Sequence, residues 1–223
     1  MTRPRIPETD HGIQGEDIVA VYDIFLQNMR KKGLLPWKDL LKNKIDYGHA
    51  LEIGPGPGYL GLEWLAHSSN TSLTGLDISP EMIDLAERNA QTYNLTERTE
   101  YVLSSGDDIP FDDEHFEAVF TNGSLHEWAE THKTFNEIWR VIKPGGRVYI
   151  SDLRRDMVAP IRWMMWLVCK PNSIRPGFIT SLQAAYTPDE LQSMIQGTQF
   201  NDCTIDSDPF GLTLKGQKPS RSA

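Results

Sequence analysis

Gly54, Gly56 and Gly58 stand at alternate positions, directly after the apolar run Ala50 to Ile53 and before a segment from Leu60 onward with helical spacing. Glycine lets a backbone turn sharply and approach a ligand with no Cβ in between. A buried strand, a glycine turn and a helix N-terminus together make a pocket of nucleotide size. A second apolar run, Leu73 to Leu76, ends in Asp77, about 20 residues on, where such folds place a ribose-binding carboxylate. Its oxygens suit the paired donors of two ribose hydroxyls. The chemistry implied is the grip of a nucleoside-like cofactor.

The glycines alone leave its identity open, because Gly56, Gly58 and Gly61 also satisfy the dinucleotide spacing G-x-G-x-x-G. Three features favour the tighter G-x-G-x-G reading. Glu52 places a carboxylate at the strand end, where it would repel a pyrophosphate and balance an ammonium group. Pro55 and Pro57 remove two N–H donors from the loop that a phosphate would need. No Tyr-x-x-x-Lys pair occurs in the chain, so one common hydride-transfer arrangement is missing. These residues describe a pocket for a cationic, phosphate-free nucleoside, and S-adenosylmethionine has that chemistry. Gly54, Gly56 and Gly58 would approach its methionine and ribose portions, and Ile78 and Met82 would pack on the adenine face.

From about Ala50 to Asp152, and more weakly beyond, the chain resembles the class I S-adenosylmethionine-dependent methyltransferases. The likeness is strongest to the group that includes the ubiquinone/menaquinone C-methyltransferases. It is carried by Leu51-Glu52-Ile53-Gly54-Pro55-Gly56-Pro57-Gly58, Leu76-Asp77-Ile78-Ser79-Pro80-Glu81-Met82, Ile109-Pro110-Phe111, Val119 to Asn122 with Ser124-Leu125-His126, and Arg140-Val141-Ile142-Lys143-Pro144-Gly145-Gly146. The resemblance implies a Rossmann-like α/β fold: a seven-stranded, mostly parallel sheet with its last strand antiparallel and helices on both faces. It also implies that Tyr22 reaches across the cofactor. Many relatives place an acid and a small residue before the Leu-Pro-Phe-like triplet to receive the adenine amino group. Ser105-Gly106 stands at that place here, with Asp107 just after, so Ser105, Gly106 and Asp107 are all candidates for the adenine contact.

Methyl transfer is an in-line displacement with a good leaving group, so a protein promotes it mainly by alignment and exclusion of water. No nucleophilic triad is needed. Asn122 ends a central strand, where open α/β sheets place ligands. His126 is a candidate base, and Asp152 a candidate to orient a hydroxyl or amine. The apolar segment Pro160 to Leu167, rich in Trp and Met, would suit an adaptable wall for a hydrophobic acceptor, and Arg154, Arg155 and Arg162 lie close by. Asp152 and Asp156 are too thin a basis for a metal site, and no metal is expected.

A chain of 223 residues can form a single α/β domain. Its net charge of -9 argues against a nucleic-acid substrate. Cys169 and Cys203 are far apart, which fits a reducing, cytoplasmic setting. The apolar run 157–169 falls short of the ~20 residues needed to cross a bilayer. The alternating pattern predicts an N-terminal helical cap (1–46), a cofactor-binding core (47–152), a lid (153–186), and a C-terminal helix with a hairpin (187–217). An amphipathic helix over 16–32 would bury Ile18, Val19, Tyr22, Phe25, Leu26 and Met29. Strand five is expected at 147–151, an irregular lid broken by Pro160, Pro171 and Pro176, and final strands at 200–206 and 212–215. The function expected is methyl transfer to a small, hydrophobic acceptor. The alternatives are a non-catalytic S-adenosylmethionine-binding regulator and an NAD(P)-linked oxidoreductase.

Overall fold

The computed structural model describes residues 4–8 and 12–221; the parts of the N-terminal cap and polar tail at 1–3, 9–11 and 222–223 lie outside them. Helices α1 (Glu16–Lys31) and α2 (Trp37–Lys42) lead into an alternating series. It runs β1 (Gly48–Ile53), α3 (Tyr59–Ala66), β2 (Thr71–Asp77), α4 (Pro80–Thr92), β3 (Thr99–Leu103), β4 (Phe116–Asn122), α5 (Thr131–Val141) and β5 (Ile142–Leu153). Helices α6 (Ala159–Val168), α7 (Arg175–Ala184) and α8 (Pro188–Ile195) follow, then β6 (Thr204–Ser207) and β7 (Gly211–Gln217). The seven strands are ordered β3-β2-β1-β4-β5-β7-β6, and β7 alone runs against its neighbours. The order reverses between β1 and β4, the switch point at which such sheets open a crevice.

Strand alternation sorts the core. Leu51 and Ile53 of β1 join Phe135 and Ile138 of α5 and Leu191 of α8 on one face. Ala50 joins Leu60, Trp64 and Leu65 of α3 on the other. Helix starts follow local chemistry. The Ser79 hydroxyl accepts from the Met82 amide with Pro80 in the first turn of α4, and Thr187 and Glu190 form a reciprocal capping box on α8.

Four expectations need correction. Ile18 is 58 % exposed, leaving Val19 as the buried residue of α1. The segment 153–186, expected as an irregular lid, is mostly helical: Pro160 and Pro176 sit in the first turns of α6 and α7, where a missing N–H breaks no helical bond. Strand β5 starts at Ile142, because a bulge opposite Phe116 and Ala118 takes up the Pro-Gly-Gly segment. Strand β6 starts at Thr204, since Phe200 is drawn into the core beside Phe135 and Trp139 rather than into the ladder. The turn at Asp208-Pro209 forms as expected, with the Asp208 carboxylate accepting from the Phe210 and Gly211 amides.

Candidate active site

A cavity of about 360 Å³ opens at the carboxyl ends of β1, β2 and β4. Tyr22, Gly54, Gly56, Asp77, Ile78, Met82, Ser105, Gly106 and Asp107 share its wall. Asp77, the last residue of β2, ties two turns together: one oxygen accepts from the Gly56 amide (3.0 Å) and the other from the Ser79 amide (3.0 Å). A carboxylate offers about four lone-pair sites, so roughly two are left for a ligand. Burial raises the Asp77 pKa, against the lowering effect of the Ser79, Gly56 and Ile78 amides.

The turn after β1 needs its glycines for distinct reasons. Gly54 has φ +65°, and a Cβ there would lie 2.8 Å from that of Ser124. Gly58 has φ +81° and meets Tyr101, not the cavity. The loop's amides are already engaged: Gly54 N–H donates to Leu76 O, Gly56 N–H to Asp77 and Gly58 N–H to Pro55 O. With prolines at 55 and 57, the turn has no donor left for a phosphate.

Glu52 is the largest departure from expectation. Alternation along β1 sends its side chain to the α3 face, whereas Ile53 faces Gly106 and Thr134. Glu52 is 2 % exposed, lies under Gly61, does not line the cavity, and keeps one carboxyl oxygen without a partner among the described residues. Burial raises its pKa to about 8, only partly offset by the Gly61 amide. Asn122 is exposed, accepts from the Ser151 hydroxyl (2.8 Å) and also lies off the cavity, which is lined by Gly123 and Ser124 instead. Nor do any of residues 153–186 line it.

His126 and Asp152 lie behind the wall as a buried pair. Asp152 accepts from His126 Nδ1 (2.8 Å), the His126 amide (2.7 Å) and the Leu153 amide (2.6 Å). His126 Nε2 has no hydrogen-bond partner among the described residues, and sits 3.6 Å from Glu8 and 3.9 Å from Glu127. Burial is the largest influence on the imidazole and disfavours its charged form. The combined pull of Asp152, Glu127 and Glu8 outweighs it, and the pKa rises to about 9. Glu127, which does line the cavity, is raised to about 7, chiefly by burial.

Residues 12–14, on the wall, carry no signal in the sequence, whereas Glu127 and Trp128, also on it, lie in the loop 122–128 after β4 that the sequence marks as the meeting place of cofactor and substrate, without a role of their own. The result is a cavity of one electrical sign. Asp77, Asp107, Glu127 and Glu130 line it, with no Lys, Arg or His among the described lining residues; Lys133, off the wall, pairs with Asp107 at 3.3 Å. Half-buried Tyr22 reports the same field: burial first, then Glu127 and Asp77, push its phenol pKa up. Ser105 donates to Asp107, whose pKa this bond lowers; both remain candidates for the adenine contact.

Residues 51–150 match a family profile described as "Methyltransferase domain". Residues 51–150 thus belong to this methyltransferase-domain family. Over 150 residues it is 30 % identical to the ubiquinone/menaquinone biosynthesis C-methyltransferase UbiE of Geotalea daltonii, covering 62 % of this chain and 64 % of that protein. It is 27 % identical to a demethylmenaquinone methyltransferase of Porphyromonas gingivalis, covering 70 % and 65 %. The chain thus spans less than two thirds of the length of these curated relatives. A solved S-adenosylmethionine-dependent methyltransferase from Aquifex aeolicus shares the fold, with a TM-score of 0.62 at 18 % identity, covering 82 % of this chain and 88 % of the other. The sheet order and the antiparallel β7 agree with this class.

Proposed function

We propose that this protein transfers a methyl group from S-adenosylmethionine to a small, hydrophobic acceptor of the quinol or phenol class. One observation carries the cofactor reading: among the described residues the cavity wall holds four carboxylates and no basic side chain, beside a loop, 54–58, whose amides are all in use. Such a wall favours a cation and repels a pyrophosphate, so it weighs against the NAD(P) reading. The acceptor class is suggested by the names of the curated relatives.

When bound, S-adenosylmethionine supplies an activated methyl group on a sulfonium. The Asp77 carboxylate holds the ribose hydroxyls, and Ile78 and Met82 flank the adenine. Tyr22 and residues 12–14 close one side and keep water out. Glu127 accepts the proton of an acceptor hydroxyl, because its pKa of about 7 suits a base near neutrality. His126 already carries a proton there, so its role shifts from base to positioning residue: held by Asp152, it stabilises the Glu127 carboxylate across 3.9 Å.

Calorimetry with S-adenosylmethionine and with NADH tests the cofactor; micromolar binding of the first and none of the second is expected, and the reverse ends the proposal. Release of S-adenosylhomocysteine from a panel of quinols, phenols, amines and thiols tests the acceptor. Tight cofactor binding with no product from any of them would favour a non-catalytic binder.

A further inference from the structure

Helix α6 has two unlike faces, and both are apolar. Ile161, Met165 and Trp166 turn inward onto the cluster of Met157, Cys169, Phe178 and Leu182. Trp163, Met164, Leu167 and Val168, at helical spacing i, i+1, i+4 and i+5, form an outward stripe, with Trp163 65 % exposed and Val158 just before the helix 61 % exposed. Exposed apolar stripes of this kind mark contact surfaces.

Charge indicates what they contact. Residues 157–188 include Arg162, Lys170 and Arg175 but no Asp or Glu, in a chain with 31 acids and a net charge of -9. Arg162 and Lys170 are exposed, at the edge of the stripe and just beyond its end. Arg175 lies 3.8 Å over the Trp166 ring and fastens α7 to the inward face. In a two-fold contact a second copy of this chain would set Arg162 and Lys170 against the same cations of its partner. An anionic lipid surface brings the opposite sign and an apolar layer beneath it. Short helices with Trp and Leu on one face and cations beside them lie in the headgroup plane, where tryptophan concentrates.

We infer that α6 docks this protein on anionic lipid surfaces, with Trp163, Met164, Leu167 and Val168 entering the headgroup–acyl boundary and Arg162 and Lys170 meeting lipid phosphates. The inference does not depend on the methyl-transfer reading, and vesicle binding and cofactor binding can fail separately.

The test is flotation of the full chain with vesicles of phosphatidylcholine alone and of phosphatidylcholine mixed with phosphatidylglycerol. Binding to the mixed vesicles only is expected, with blue-shifted tryptophan emission and release at high salt. Reversing one charge with Arg162→Glu should weaken binding by roughly 30-fold, taking about 1 kcal/mol for each unit of charge. Trp163→Ser should also weaken it and remove most of the emission shift. Unchanged melting and S-adenosylmethionine affinity would show that both variants fold. Failure to bind mixed vesicles at low salt, equal binding to both vesicle types, or a concentration-dependent dimer abolished by Trp163→Ser would overturn the inference.

Discussion

Replacing Asp77 by Asn keeps the size and shape of the side chain and removes its charge. The carboxylate accepts from the Gly56 and Ser79 amides, one on each oxygen, which leaves about two lone-pair sites for the ribose hydroxyls. An amide has one acceptor oxygen, and its NH2 group must face either a backbone N–H or a ligand hydroxyl. Hydrogen bonds to charged groups contribute about 1.5–3 kcal/mol, so affinity should fall roughly 10- to 150-fold. Calorimetry with both S-adenosylmethionine and S-adenosylhomocysteine separates the causes. The neutral homocysteine product reports the lost hydroxyl contact; any further loss for the sulfonium reports the missing charge. A parallel melting curve shows whether the glycine loop survives. If Asp77→Asn melts normally and binds both ligands within two-fold of wild type, the ribose assignment is wrong.

Other outcomes follow from the same geometry. Glu52, Glu127 and His126 all have raised native pKa values, near 8, 7 and 9, so the folded state holds protons that the unfolded chain releases. Stability should therefore fall as pH rises from about 4.5 to 9, with His126 alone contributing on the order of 3 kcal/mol between pH 6.5 and 9; thermal melts from pH 5 to 9 that stay flat or rise would contradict this. Glu127→Gln should lower the methyl-transfer rate about 10²-fold or more and abolish its rise with pH near 7, while a retained pH profile would remove Glu127 as base. Glu52→Gln should raise the melting temperature at pH 9 more than at pH 6 and leave S-adenosylmethionine affinity unchanged; a large loss of affinity would return Glu52 to the ligand.

Much of the fold was legible because parallel strands buried on both faces read as unbroken apolar runs, and because Ser79-Pro80 and Thr187-Pro188 mark helix starts by local chemistry. Asp77 was readable for a similar reason: strand end, glycine turn and acid are fixed by short-range connection. Glu52 was misplaced because its motif position does not state which face of β1 it occupies, and only the packing of Gly61 decides that. The charge of His126 was out of reach of sequence, since it depends on Asp152 and Glu8 reaching it, beside its neighbour Glu127, from distant parts of the chain. The segment 153–186 misled for the opposite reason, as proline reads as a breaker unless the helix start is known, and so its helices α6 and α7 were read as irregular.

The fully engaged turn between β1 and α3 bears on how the protein meets its guest. Its N–H groups are held before any guest arrives, so the cradle is built at folding and little ordering entropy is spent there on association. Hydrogen exchange at Gly54, Gly56 and Gly58 should be slow in the empty protein and scarcely slower in the loaded one. A scaffold fixed in this way tolerates little retuning: adapting it to a phosphorylated nucleotide means rebuilding the turn itself.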